Sequence, residues 1–138
     1  TQISEADWYF FYRCYAQTYW EHGNAPYLTP EFFAAMRQHL PEAWLMFVAE
    51  RAGQPVACSL IGLEYANDSQ QILTAYGRYW GAIEHIDCLH FEACYYQPIA
   101  WCLTHGVARF EGGAQGEHKM ARALMPVATH SAHWLARP

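Results

Sequence analysis

Residues 110–122 read FEGGAQGEHKMAR, and three of the first seven are glycines: Gly112, Gly113 and Gly116. An acid, an imidazole and two cations follow, namely Glu117, His118, Lys119 and Arg122. Glycines allow a tight turn whose amides point outward, a ready concavity for an anion. Lys119 and Arg122 stand three apart, so one helical face carries both charges. This mixture predicts a seat for a phosphate or a carboxylate. His118 is beside it, a base suited to neutral pH.

A second group of reactive side chains lies in CLHFEACYYQPIAWCLT, from Cys88 to Thr104. Glu92 falls early in a largely apolar stretch, where burial would raise its pKa, or where Arg78 could pair with it. Tyr79, Tyr95 and Tyr96 offer phenols, at least two of which belong in the core. His130 and His133 in THSAHW, with His90, His118 and Glu92, bear nitrogen and oxygen donors that suit a transition metal. On a strand, however, positions three apart face opposite ways, and His90 and Glu92 are two apart on a helix. No metal site is expected. The same alternation puts His133 with Thr129 and Ser131 along one polar lining. Cys94 and Cys102 read as buried thiols.

The elements that must hold these groups follow from periodicity. Ser4 opens an amphipathic segment that Gly23 closes, with Trp8, Phe11, Cys14 or Tyr15, and Thr18 or Tyr19 recurring at helical spacing. Thr29 and Pro30 suit the N-cap and first turn of a second helix, TPEFFAAMRQHL. The period then changes. WLMFVAER and PVACSLIGLEY are β-prone runs joined by AGQ, and LTAYGRYWGA, which carries Arg78 and Trp80, reads as a third strand. A helix capped by Asp87 and ended by Gly106 is expected next, with Leu89, Ala93, Tyr96, Ile99 and Leu103 buried and a kink at Pro98. VARFEG, a helical turn in HKMARALM and a closing strand in PVATHSAHWL complete the order α-α-β-β-β-α-β-α-β. Hairpin pairing is antiparallel and the later βαβ crossover parallel, so a mixed sheet with helices on both faces is predicted.

Composition bounds the function. The chain has 138 residues, 53% of them hydrophobic, 17% aromatic and 15% charged. That charge fraction lies well below the roughly 25% of ordinary soluble domains, and disorder is excluded. No apolar run approaches the ~18 residues of a membrane span, and no signal-peptide pattern opens the chain. With a net charge of −5 and no basic stripe, general nucleic-acid binding is not expected. Five irregularly spaced cysteines among apolar neighbours fit reduced thiols in a cytoplasmic protein.

RYWG, LHFE with CYYQ, FEGGAQGEHK and THSAHW together resemble the FemAB-like proteins, which are labelled as peptidoglycan biosynthesis or GNAT-type acyltransferases. The element order resembles the GNAT order as well. The resemblance implies a GNAT-like (acyl-CoA N-acyltransferase-like) α/β fold, a mixed β-sheet flanked by helices, over residues 1–138. It also implies that the chain is the C-terminal half of a longer two-domain protein, whose partner is an N-terminal half or a second copy. The implied reaction is N-acyl or aminoacyl transfer to a small amine or amino-acid-like substrate, with acyl-CoA or aminoacyl-tRNA as donor. A non-catalytic ligand-binding half is the alternative, and a metal-dependent enzyme a weaker one.

GNAT proteins splay two parallel strands around the donor, here those near residues 73–80 and 107–111. The implied catalytic residues are Glu92, His118 or Glu117 as base and Tyr96 as donor to the leaving group or oxyanion. Arg78, Trp80, His90, Gly113, Gly116, Glu117, Lys119, Arg122, Ser131 and His133 would bind substrate. The loop GAIEHIDC stands where well-known GNAT members carry a pyrophosphate-binding Q/R-x-x-G-x-G/A pattern, but its Glu84 and Asp87 oppose a pyrophosphate.

Overall fold

The structure is a computed structural model that describes residues 3–67, 69–113 and 117–136, without the side chains of residues 117 and 118. Helix α1 (Glu5–Glu21) starts at a capping box. The Ser4 hydroxyl accepts from the Asp7 amide at 3.1 Å, and the Ser4 amide donates to the Asp7 carboxylate at 3.1 Å. Helix α2 (Pro30–His39) has Thr29 as N-cap and Pro30 in its first turn, as the sequence predicts. Strands β1 (Trp44–Arg51) and β2 (Gln54–Tyr65) form a hairpin whose turn, Ala52–Gly53, holds φ values of 51° and 75°. Positive φ at both central positions matches the right-handed twist of the strands.

Strand β3 (Ile72–Ala82) pairs antiparallel with β2, and β4 (Arg109–Glu111) pairs parallel with β3, giving the order β1-β2-β3-β4. Between β3 and β4 the chain runs as a single rod: α3 (Leu89–Phe91), a π-helical turn (Glu92–Tyr96) and α4 (Gln97–Thr104). The mixed sheet flanked by helices is therefore present.

Each sheet face has its own core. Trp8, Phe11, Cys14 and Tyr15 of α1 meet Phe33 and Met36 of α2 over Cys58 and Leu60. Their rings interlock, Phe11 and Phe33 at 5.0 Å edge to face and Tyr15 and Phe33 at 5.1 Å, the geometry aromatic quadrupoles favour. Ile61, Ala75 and Cys102 fill the opposite face with Trp101 and Phe110.

Two irregularities shape that second face. Ile61 pairs with Gly77 and Leu60 with Tyr79, so Arg78 has no partner and forms a β-bulge. The extra residue reverses the alternation of β3. Ala75 faces α4, while Tyr79, four residues on, packs instead against Phe11 and Phe33. Trp80 consequently faces the rod and meets His90 at 5.4 Å.

The second irregularity corrects the expected buried stripe. Ala93, Tyr95, Pro98 and Cys102 are buried, whereas Tyr96 and Leu103 are 52% and 78% exposed. A π turn bonds residues five apart where an α turn bonds residues four apart, so the face of Ala93 continues at Pro98 and then Cys102. Pro98 explains the turn. The Gln97 amide bonds the Glu92 carbonyl, and the next bond in that register needs an N–H that Pro98 lacks. The Ser59 hydroxyl takes its place, donating to the Ala93 carbonyl at 2.6 Å in the interior. Ser59→Ala should leave that carbonyl unpaired and lower stability by about 2 kcal/mol in a urea titration.

Two further expectations are corrected. The helix is headed not by Asp87 but by Cys88 in the left-handed region at φ 64°, without a side-chain cap. Gly106 does close it, at φ 65°. PVATHSAHWL forms no strand: residues 126–135 are exposed coil. β-Prone residues form a strand only beside an edge that accepts them, and among the described residues this segment joins none.

Candidate active site

Strands β3 and β4 pair only over Thr74–Tyr76 and Arg109–Glu111. Beyond Tyr76, β3 continues to Ala82, while the other chain turns away through Gly112 and Gly113 (φ 83°). Gly77 sits at the fork. A Cβ there would stand 3.5 Å from the Glu111 carbonyl oxygen and 3.8 Å from the Gly112 Cα. The opening leads to a cavity of about 120 Å³. Its floor is Ser59 and Ile61 of β2, one wall runs from Gly77 to Trp80 of β3, and the other consists of His90, Cys94, Tyr95 and Gly112.

Three of the sequence-predicted site residues therefore share this cleft: Arg78 through the bulge, Trp80 through the reversed alternation, and His90 from the start of the rod. His90 is packed edge-on against Trp80 and against Tyr95 at 5.7 Å. Arg122 stands behind the cleft, its guanidinium 3.6 Å from the Phe91 ring centroid and 5.7 Å from that of Tyr95. At that range the cation is held by the negative faces of the rings. Lys119 is turned inward and donates to the Gly113 carbonyl at 3.0 Å. The two cations thus brace the glycine turn against the rod. A Cβ on Gly112 would meet the end of the Leu124 side chain at 2.8 Å and both Lys119 and Tyr95 at 3.5 Å, so a larger residue here would require Leu124 to move.

Other candidates lie elsewhere. Glu92 is exposed and accepts from the Gln97 side chain at 2.6 Å, so the expected burial is overturned, and neither Glu92 nor Tyr96 lines the cleft. The π turn rotates Tyr96 to the solvent side. Ser131 and His133 lie in the exposed C-terminal coil, with no sheet to align them. Gly116 is outside the described residues, as are the side chains of Glu117 and His118; the backbone of residues 117 and 118 opens a 3-10 helix, Glu117–Arg122. Among the described residues no three His, Cys, Asp or Glu side chains converge. In the loop before the rod, Glu84 pairs with Arg51, and Asp87 lies 3.9 Å from His85.

Ser59 and Gly77 were not among the predicted site residues, while Tyr95 was one of three candidate phenols and Cys94 was read as a buried thiol. A lone glycine in a β-prone run signals a bulge or a close backbone approach, and Gly77 was legible in that way. Tyr95 was hidden by the π turn, which exchanges it with Tyr96. Burial pushes the Tyr95 phenol above its ordinary value, an effect that Arg122 partly offsets. Burial alone pushes the Cys94 thiol up to about 12. The unfolded chain releases this proton above its ordinary 9.0, the folded one only near 12, so stability should fall as pH rises between those values. Urea midpoints measured across that range check the sign, and Cys94→Ala should flatten part of the slope.

A family model for FemAB-like proteins, described as peptidoglycan biosynthesis/recognition, matches residues 1–138. The chain belongs to the FemAB-like family. No curated protein matches it. Solved structures similar to this FemAB-like chain include a possible acetyltransferase from Clostridium difficile 630, with TM-score 0.70, 9% identity and coverage of 100% of this chain and 96% of that one. A tetramutant of BH1408 from Bacillus halodurans has TM-score 0.61 and 18% identity, with 98% and 97% covered. The third is AAC(6')-Iy in complex with the bisubstrate analog CoA-S-monomethyl-acetylneamine, with TM-score 0.62, 11% identity, and 100% and 96% covered. At these identities the likeness establishes the fold, which is GNAT-like.

Proposed function

We propose that this FemAB-like chain transfers an acyl group from an activated donor, a thioester or an aminoacyl ester, to an amine. The observation that carries this reading is the fork between β3 and β4, which opens onto the cavity lined by Arg78, Trp80 and His90. Past Tyr76 no strand among the described residues lies beside the edge of β3 that faced β4, so an extended donor can lie along it as a pseudo-strand. The acyl carbonyl then reaches the cavity, where a β3 backbone amide steadies the developing oxyanion. The amine attacks, an N–C bond forms, and its proton passes to His90. The C–S or C–O bond breaks, and the Tyr95 phenol, kept protonated by burial, supplies the proton to the leaving group.

His90 and Tyr95 thus take the roles that sequence reading assigned to Glu92 or His118 and to Tyr96. The bisubstrate complex of AAC(6')-Iy supports a coenzyme A donor in this fold. The family description supports an acceptor amine in a peptidoglycan precursor.

The test is a transfer assay with labelled acetyl-CoA and labelled aminoacyl-tRNA against amine-bearing cell-wall peptides. An amide product from either donor is expected. Saturable donor binding with no product on any acceptor would replace this reading with that of a non-catalytic binding half.

A further inference from the structure

The other edge of the sheet carries a second opening. In the order β1-β2-β3-β4 the fork lies at the β4 side, and β1 is outermost at the opposite side. Residues 44–49 of β1 read WLMFVA, a continuous apolar run of the kind that interior strands carry. Trp44, Met46 and Val48 pack toward the α1–α2 layer and Leu45 and Phe47 toward α4, yet all stay only half-buried. Outermost strands are ordinarily shielded by charges, a proline or a bulge. Here the register shift between Ala49 and Glu50, with the charges of Glu50 and Arg51, shields only the far end of β1. A cavity of about 800 Å³ follows the unshielded part. Its lining comes from both sheet faces, Ile3, Trp44 and Met46 on one and Leu45, Leu63 and Trp101 on the other, so it wraps round the free edge of β1. Two polar features say what it takes. The Trp44 indole nitrogen is buried and has no hydrogen-bond acceptor among the described residues, which leaves a donor for a carbonyl from outside. Asp7 and Glu42 line the cavity, and no Lys or Arg does so among the described residues. His105 is there too, stacked on Trp101 at 4.0 Å.

We infer that the free edge of β1 docks an extended segment of a partner protein, whose apolar side chains alternate to the two sides and whose lysine or arginine meets Asp7 and Glu42. The segment adds to the sheet through backbone hydrogen bonds, and one of its carbonyls accepts from the Trp44 indole. A second copy of this chain is disfavoured as the occupant by its net charge of −5. This interaction is separate from the transfer reaction and does not depend on it.

Three synthetic peptides, KVTVTVK, EVTVTVE and KVPVPVK, test this in NMR titrations of the isotope-labelled chain. KVTVTVK should shift the amides of residues 44–49 and bind at least about tenfold more tightly than EVTVTVE. KVPVPVK, whose prolines cannot donate along the edge, should also bind at least about tenfold more weakly. Glu42→Lys, a change at an exposed position, should abolish or reverse the preference for KVTVTVK over EVTVTVE. Trp44→Phe, which keeps a ring and removes the donor, should weaken KVTVTVK by about three- to tenfold. Shifts confined to residues away from β1, or no binding by any peptide, would overturn the inference. So would equal affinities for the three peptides, or affinities that Glu42→Lys and Trp44→Phe leave unmoved. The same β1 shifts on concentrating the chain without peptide would make a second copy the occupant and overturn it as well.

Discussion

Gly81→Ala is expected to destabilise the protein by about 3 kcal/mol, at the upper end of overpacking costs. A Cβ at this position would stand 2.4 Å from both the carbonyl carbon and the carbonyl oxygen of Cys14, and 2.8 Å from its Cβ. These are backbone atoms and the first side-chain atom of α1, so no rotamer change can clear the clash. The helix must lift from β3, and with it the buried rings of Trp8, Phe11 and Tyr15. Gly62→Ala is the internal control, since its Cβ would meet nothing closer than 3.6 Å and should cost well under 1 kcal/mol. Urea unfolding of the two variants beside the wild type decides the matter. Equal stabilities for both variants would mean that α1 does not rest on β3 as described.

The largest effect on activity is expected at His90. His90→Ala should lower kcat/KM by about 10²- to 10³-fold, the range over which a positioned acid–base group acts. Because the ring also packs between Trp80 and Tyr95, its loss could act through packing alone. Rescue separates the two effects: added imidazole should restore part of the rate if a base is missing and none if only shape is lost. Glu92→Gln provides the contrast. Its carboxylate is in solvent, bonded to Gln97, and kcat/KM should stay within about twofold of wild type. A large loss with Glu92→Gln and none with His90→Ala would reverse the assignment.

The part of this fold that depends on local chemistry was legible in the sequence. Ser4 and Thr29 start helices because their hydroxyls satisfy first-turn amides, and Pro30 fits where no N–H is needed. The hairpin and the parallel β3–β4 pair followed from turn residues and from the length of the crossover. The candidate site was legible only in part. Arg78, Trp80 and His90 are in the cleft, while Glu92, Tyr96, Ser131 and His133 are not.

The misses have two physical sources. Pattern reading assumes a constant period, and the π turn adds one residue to the rod, which exchanges Tyr95 for Tyr96 as the inward phenol. Pro98 hints at such a turn, but the turn persists because Ser59, from a strand more than thirty residues away, satisfies the orphaned Ala93 carbonyl. The second source is pairing. The residues of PVATHSAHWL favour a strand, yet strand formation depends on an available neighbouring edge.

By itself, then, the sequence determined where α1 and α2 begin, where the hairpin turns, and the mixed order of the sheet, because caps, turns and periodicity act within a few residues. Tertiary structure alone decided which way Arg78, Tyr79, Trp80 and Tyr95 face. Those directions depend on one residue inserted in β3 and one in the rod, and each insertion is held by contacts made between elements.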